Sequence, residues 1–192
     1  SIAIWSGRDD PPFFENTPAC PADSYSEAKL SCETECKITK DQFGLDYSII
    51  RAHNFQGPYL NYASKYRNFL GIAVRQALDG ENITIFGDGL QSRQFSHVKY
   101  LCEPLVKLLE YNTPTIVNLG ADKSYTVLEV ATIIKNIAKQ DGKNVEIVHL
   151  PPRHEAKHAT CNHSLAKLAL NFKDETDIET LCYEIYHWVK QQ

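Results

Sequence analysis

A tyrosine and a lysine stand four residues apart, Tyr25 and Lys29, in the stretch DSYSEAKLSCETE that follows the proline-bounded loop TPACPA. On a helix, residues i and i+4 project from one face with their Cβ atoms about 5–6 Å apart. An ammonium group at that distance favours the charged form of a phenol whose free pKa is about 10. A phenol poised in this way can take the proton of a hydroxyl while hydride leaves the same carbon. The spacing is short and also arises by chance on solvent-facing helices, so the surrounding sequence has to decide. Cys32 and Cys36 repeat the spacing and make half of a metal site. No matching pair of ligands follows at zinc spacing, and no metal is expected.

Positioning the pair requires a helix with a defined start and stop. Ser24 to about Phe43 fits one, ended by Gly44. Before it, SIAIW is short, β-branched and aromatic and reads as a buried strand, and RDDPPFFENTPACPA is a loop set by four prolines. LDYSIIRAHN gives a strand broken at QGPY, YRNFLGIAVRQAL a helix, and NITIFGDG a strand with a tight turn. HVKYLCEPLVKLLE suits a helix that Pro104 kinks or delays, and TIVNLG is a strand. TVLEVATIIKNIAKQDG carries a capping box, Thr126 with Glu129, and stops at Gly142. VEIVHL is a strand. A second capping box, Thr176 with Glu179, opens a last helix whose stripe of Ile178, Leu181, Cys182, Ile185, Trp188 and Val189 faces a core. Strands alternating with helices give an α/β architecture with a mainly parallel sheet.

A chain of 192 residues can bury one core or form a large and a small lobe. Hydrophobic residues make up 43%, charged residues 23%, and the net charge is -4, with no basic surplus to bind nucleic acid. No apolar run approaches the ~18 residues that cross a bilayer, and no membrane association is expected. Six cysteines at this length read as reduced thiols, which places the chain in the cytoplasm. The histidines of RHEAKHATCNH read as surface-polar. The sequence has no methionine and opens directly on an apolar run. Residue 1 is therefore expected not to be the start of the gene product.

Six stretches, SIAIWSG, DSYSEAKL, IIRAHNFQGP, KYRNFLGIAVRQALDGENITIFGDGLQSRQFSHV, VNLGADKSYTVLEV and PPRHEAKHATCNHSLAKLAL, run in order from residue 1 to residue 170. They resemble the extended short-chain dehydrogenase/reductase superfamily, and within it the NAD-dependent UDP-glucose 4-epimerase-like enzymes. The resemblance implies a Rossmann-like, mainly parallel sheet with a smaller substrate-binding lobe. The NAD-binding part would take residues 1–57 and about 84–120, and the nucleotide-sugar lobe about 58–83 and 121–192. It makes Tyr25 the general base and Lys29 its partner, which also holds the nicotinamide ribose. Asn54 would contact the nucleotide-sugar near its diphosphate, and Asn68 and Phe69 fall where the family presents an Asn-Leu pair to that ligand. Phe86 would pack by the uracil, while Arg93 and Arg153 would clamp the diphosphate. Judged alone, these residues have plain alternatives: surface arginines, a loop-bridging asparagine, a core phenylalanine. Arg51 reads as a structural ion-pair partner, and His53 and His97 as packing or polar fillers.

The sequence also departs from the family. It has no Gly-x-x-Gly-x-x-Gly turn for the dinucleotide, and roughly the first third of the usual protein has no counterpart. The chain is thus expected to be the C-terminal portion of a longer protein or to associate with the missing N-terminal portion, and to form a homodimer through the Tyr25 helix. The family's catalytic Ser or Thr position holds Ile2. Ser1 is the neighbouring candidate, on the opposite side of a strand. The resulting expectation is an epimerase acting on a UDP-sugar through NAD by transient oxidation at the sugar's fourth carbon. The alternatives are a dehydratase or decarboxylase of the same superfamily, or a non-catalytic nucleotide-sugar-binding remnant.

Overall fold

The computed structural model describes residues 1–64, 68–110, 115–153 and 157–192. Helix α1 (Ser24–Phe43) starts on a reciprocal cap: the Asp23 carboxylate accepts from the Ser26 amide, and the Asp23 amide donates to the Ser26 hydroxyl. Gly44 ends it in the left-handed conformation, φ 71°, with its N–H on the Lys40 carbonyl. Then follow β1 (Ser48–Ala52), β2 (Phe55–Gln56), α2 (Phe69–Asp79), β3 (Ile83–Phe86), β4 (Ser92–Gln94) and β5 (Ser96–His97). The remainder is α3 (Cys102–Leu108), β6 (Thr115–Leu119), β7 (Ser124–Thr126), α4 (Val127–Gln140), β8 (Ile147–Leu150), β9 (His158–Ala159), α5 (Ser164–Leu170) and α6 (Ile178–Lys190).

Among the described residues β1 pairs with β6, β2 with β5, β3 with β8 and β4 with β9, all parallel, and β4 pairs antiparallel with β7. Parallel pairing demands crossovers, and α4 is the helix that leads into β8 and packs against both β3 and β8. Its expected capping box is present, with Thr126 accepting from the Glu129 amide and Glu129 returning to the Thr126 amide.

Two cores result. In the larger, the apolar faces of α2, α4 and α6 close over β3, with Leu70, Val74, Ile83, Ile85, Ile134 and Ile185 essentially free of solvent. In the smaller, Val117 and Leu119 of β6 meet Leu108 of α3 and Leu170 of α5. Each such aliphatic side chain contributes about 1.5–3 kcal/mol through burial. The packing cuts across the expected division: Ile85 joins the larger core with the lobe helices, and Ala166 and Leu170 join the smaller one beside β6.

The strand expected at SIAIW is instead a single 3-10 turn, Ile2–Trp5, whose N-terminus is capped by the Ser1 hydroxyl accepting from the Ala3 amide. Ile4 and Trp5 are both buried, and a strand with one dry face cannot bury two consecutive side chains. The turn puts Trp5 against Phe13, ring centroids 5.2 Å apart, and lets its indole N–H donate to the Thr17 carbonyl. The Thr176–Glu179 box is also corrected. Asp177 caps α6 by accepting from the Thr180 amide, while the Thr176 hydroxyl accepts from the His97 amide and donates to Asp174. Pro104 falls in the first turn of α3, where a missing N–H is harmless, and a 3-10 turn, Val98–Tyr100, precedes the helix. The histidine-rich stretch is surface-polar only in part. His154 lies outside the described residues and His158 is exposed, but Cys161 and His163 turn into the interior.

Candidate active site

The helical repeat of α1 sets Tyr25 and Lys29 side by side, the lysine Nζ 5.4 Å from the centre of the phenol ring. Tyr25 is half exposed, at 52%. Both side chains line a cavity of about 400 Å³ between α1 and β1, whose other wall is Ile49, Ile50 and Ala52. Ser1 lines it too. Strand alternation would have turned Ser1 away, but residues 2–5 are a 3-10 turn and the serine reaches the same space as the pair. Ile2 packs instead against the core of Ile4, Trp5 and Phe13.

One buried ion pair holds α1 in place. The Arg51 guanidinium of β1 donates to Glu33 through Nε (3.0 Å) and Nη2 (2.8 Å), and through Nη1 to the Glu15 carbonyl (2.8 Å). It also lies 4.9 Å over the Trp5 ring. Arg51 is thus the structural partner it was expected to be.

Past the C-terminal end of β1, the cleft continues. Tyr25 also lines a second cavity of about 480 Å³, with Asn54, Gln56, Asn68, Phe69 and Arg93. Asn68 and Phe69 in turn line a third, of about 370 Å³, that holds Phe86 and Arg153. All the expected residues therefore line three adjoining cavities, with Tyr25 at the first junction and Asn68 and Phe69 at the second. This is where open α/β sheets take ligands, outside the carboxyl ends of their strands. Asn68 precedes α2 with φ 69° and makes no capping hydrogen bond. The Arg93 Nη1 donates to the Ser92 carbonyl at 2.8 Å. The Arg153 guanidinium carbon stands 3.5 Å from the centre of the Phe86 ring, a cation–π stack.

Sequence reasoning passed over Gln56, reading its segment only as a strand break. Its separation of two from Asn54 was no usable signal, because Asn54 takes φ 35° and breaks the strand alternation. It also missed a buried polar chain behind the cleft. His163 Nε2 lies 3.0 Å from His53 Nδ1, and His53 Nδ1 lies 3.3 Å from the Gln94 side-chain oxygen, which accepts from the Cys161 amide at 2.9 Å. Burial is the main cause holding both imidazoles below the ordinary histidine range. The adjacent His163 adds to it for His53, and Asp122 opposes it for His163. Among the described residues no three metal-ligating side chains gather.

A parallel α/β frame with a Tyr–Lys pair at the head of a cleft past its strand ends defines a Rossmann-type fold of the short-chain dehydrogenase/reductase kind. A family model described as the NAD dependent epimerase/dehydratase family matches residues 3–120, and the chain belongs to that family. It is 26% identical over 176 residues to a GDP-mannose 3,5-epimerase of Arabidopsis thaliana, spanning 91% of this chain and 46% of that protein. It is 26% identical over 188 residues to a putative UDP-glucose 4-epimerase of Methanocaldococcus jannaschii, spanning 98% and 60%. Among solved structures, a UDP-N-acetylglucosamine 4-epimerase of Methanobrevibacter ruminantium, in complex with UDP-N-acetylmuramic acid, superposes with a TM-score of 0.88 at 28% identity, covering 100% of this chain and 62% of that one. The chain thus spans less than two thirds of these relatives.

Proposed function

We propose that this chain is the C-terminal portion of an NAD-dependent nucleotide-sugar epimerase, an isomerase acting on UDP-hexoses at the sugar's fourth carbon. One observation carries the reading: Tyr25 borders both the cavity that holds Lys29 and the cavity that holds Asn54 and Arg93. A base that serves a cofactor and a sugar at once has to stand at such a junction.

The first cavity fits the nicotinamide end of the cofactor. It offers an amine and two hydroxyls, on Lys29, Tyr25 and Ser1, and an apolar wall of Ile49 and Ile50 for a flat ring. Lys29 and Tyr25 would hold the ribose. When bound, NAD supplies the acceptor and later the donor of hydride. The chain's own residues do the rest. The Lys29 ammonium stabilises the Tyr25 phenolate, which takes the proton of the hydroxyl on the fourth carbon and becomes a neutral phenol, and the Ser1 hydroxyl hydrogen-bonds the same sugar oxygen. Arg93, Arg153 and the N-terminal end of α2 gather the diphosphate. Phe86 offers its face to the base once Arg153 turns to the phosphates. Anchoring at the nucleotide end lets binding energy remote from the sugar support the chemistry there.

A homodimer packed along α1 belongs to the same reading, supported by the exposed Ile38 and Phe43 on that helix. A cytoplasmic location does too. No described helix is long and apolar enough to cross a membrane. Incubation with UDP-glucose and NAD, with chromatographic detection of UDP-galactose, tests the proposal. Tyr25→Phe is expected to abolish turnover and to keep UDP-glucose affinity within about twofold, since it removes an interaction made in the transition state. Wild-type binding without turnover would leave only a nucleotide-sugar-binding protein, and no binding would remove both.

A further inference from the structure

Gln56, which lines the second cavity, carries a buried acceptor that no described residue uses. Gln56 is only 7% exposed, and its side-chain oxygen has no hydrogen-bond partner among the described residues. Asn54, two residues earlier, lines the same cavity, and its side-chain nitrogen is also buried with no partner among the described residues. Buried amide groups are nearly always paired, and leaving one unpaired is destabilising, so each exception needs a reason.

The backbone of Gln56 is not free to move and satisfy it. Gln56 pairs with His97 in the β2–β5 ladder. His97 is fixed by its amide on Thr176 and by its Nε2 at 2.7 Å from a Glu184 oxygen. On the other side, a Cβ at Gly57 would come within 2.6 Å of the Val98 side chain, so the chain there is clamped as well. The backbone that carries the side chain is therefore held on both sides.

We propose that Gln56 recognises the sugar, its side-chain oxygen accepting a hydrogen from a hexose hydroxyl while the Asn54 amide donates to a neighbouring oxygen. The inference rests on the nucleotide-sugar reading above and assigns the contact to the sugar end. Tyr25 lines the cavity with Gln56, whereas Phe86 and Arg153 line the next one along. A donor and an acceptor lining one cavity match hydroxyl groups, each of which donates and accepts at once.

Gln56→Met tests this, because methionine keeps the length of the side chain and removes its polarity. In the ligand-free protein, deleting an unpaired buried amide should raise the melting temperature by about 2–4 °C. By calorimetry, the same variant should bind UDP-glucose about tenfold more weakly while its affinity for UDP stays within about twofold. A lower melting temperature would show that a water or protein group already satisfies Gln56, and would overturn the proposal. An equal loss for UDP and UDP-glucose, or no loss for either, would overturn it too. If the wild-type protein binds neither compound, the nucleotide-sugar reading and the sugar assignment both fail. A higher melting temperature would then still mark Gln56 as kept for some other ligand.

Discussion

Glu33→Ala should detach the helix that carries the candidate base. Of the 20 residues of α1, only Ser26 is buried, so the helix depends on few contacts with the rest of the fold. Leu30 packs beside Ile4 and Trp5, and Glu33 faces Arg51. The two side chains of that pair are 12% and 8% exposed. Removing one partner of a buried pair strands the other charge and costs about 3–5 kcal/mol. Arg51 would keep the Glu15 carbonyl and the Trp5 face, and a cation–π contact is worth about 1 kcal/mol. The lower end, about 3 kcal/mol, is therefore expected. For a chain of this size that lowers the melting temperature by about 6–12 °C. Thermal unfolding followed by circular dichroism measures it, at low and at high salt, and the loss should hardly change because a buried pair is poorly screened. The double variant Glu33→Leu/Arg51→Met should recover to within about 1 kcal/mol of the wild type, since packed apolar side chains replace buried ion pairs with little loss. A fall of less than about 1 kcal/mol for Glu33→Ala would refute the argument. So would a double variant as unstable as the single one.

Gly120→Ala should destabilise by about 1–3 kcal/mol in urea unfolding, because its Cβ would stand 2.6 Å from the His53 Cβ; a neutral result would mean that the histidine pair shifts freely. Acidification tests that pair directly. Both imidazoles resist protonation in the folded state, so the unfolded chain binds more protons below the ordinary histidine pKa. The charged groups around His163 are Asp122, Lys167 and Asp174. Stability should be full above about pH 6.5 and fall as the pH drops below it, before carboxylates titrate. The double variant His53→Leu/His163→Leu should lose that slope, and an unchanged slope would assign it to other groups.

Legibility from sequence followed the range of the interactions. The start and stop of α1, the capping box of α4 and the apolar stripe of α6 are local, written within a few residues of Asp23, Thr126 and Ile178. The family segments gave the cleft residues by number, and the coordinates set them along one groove. Failures came where a residue's partner is remote. Thr176 reads as a cap until His97 claims its hydroxyl across 79 positions. SIAIW reads as a strand until Phe13 and Arg51 close over Trp5. The His53–His163 contact joins residues 110 apart, and no periodicity announces it. Helix α5, with 7 residues and no side-chain cap, lacks the length for a 3.6-residue pattern to emerge.

The same remoteness explains where the fold is least economical. Four buried side-chain atoms among the described residues lack a hydrogen-bond partner, and three belong to His53, Asn54 and Gln56. Asn54 and Asn68 both adopt positive φ, 35° and 69°, and both line the second cavity; the positive φ of Asn171 simply ends α5. Each such backbone conformation in a non-glycine residue costs on the order of 1–3 kcal/mol and persists only where the surrounding structure enforces it. Selection for stability alone would place glycine at 54 or 68 and an apolar side chain at 56. Asn54 and Gln56 supply two of those four unpaired atoms, Asn54 and Asn68 two of the four positive-φ residues other than glycine among the described residues, and all three line the second cavity with Tyr25. That clustering supports the proposed sugar-binding role of the wall on grounds independent of any likeness to other proteins.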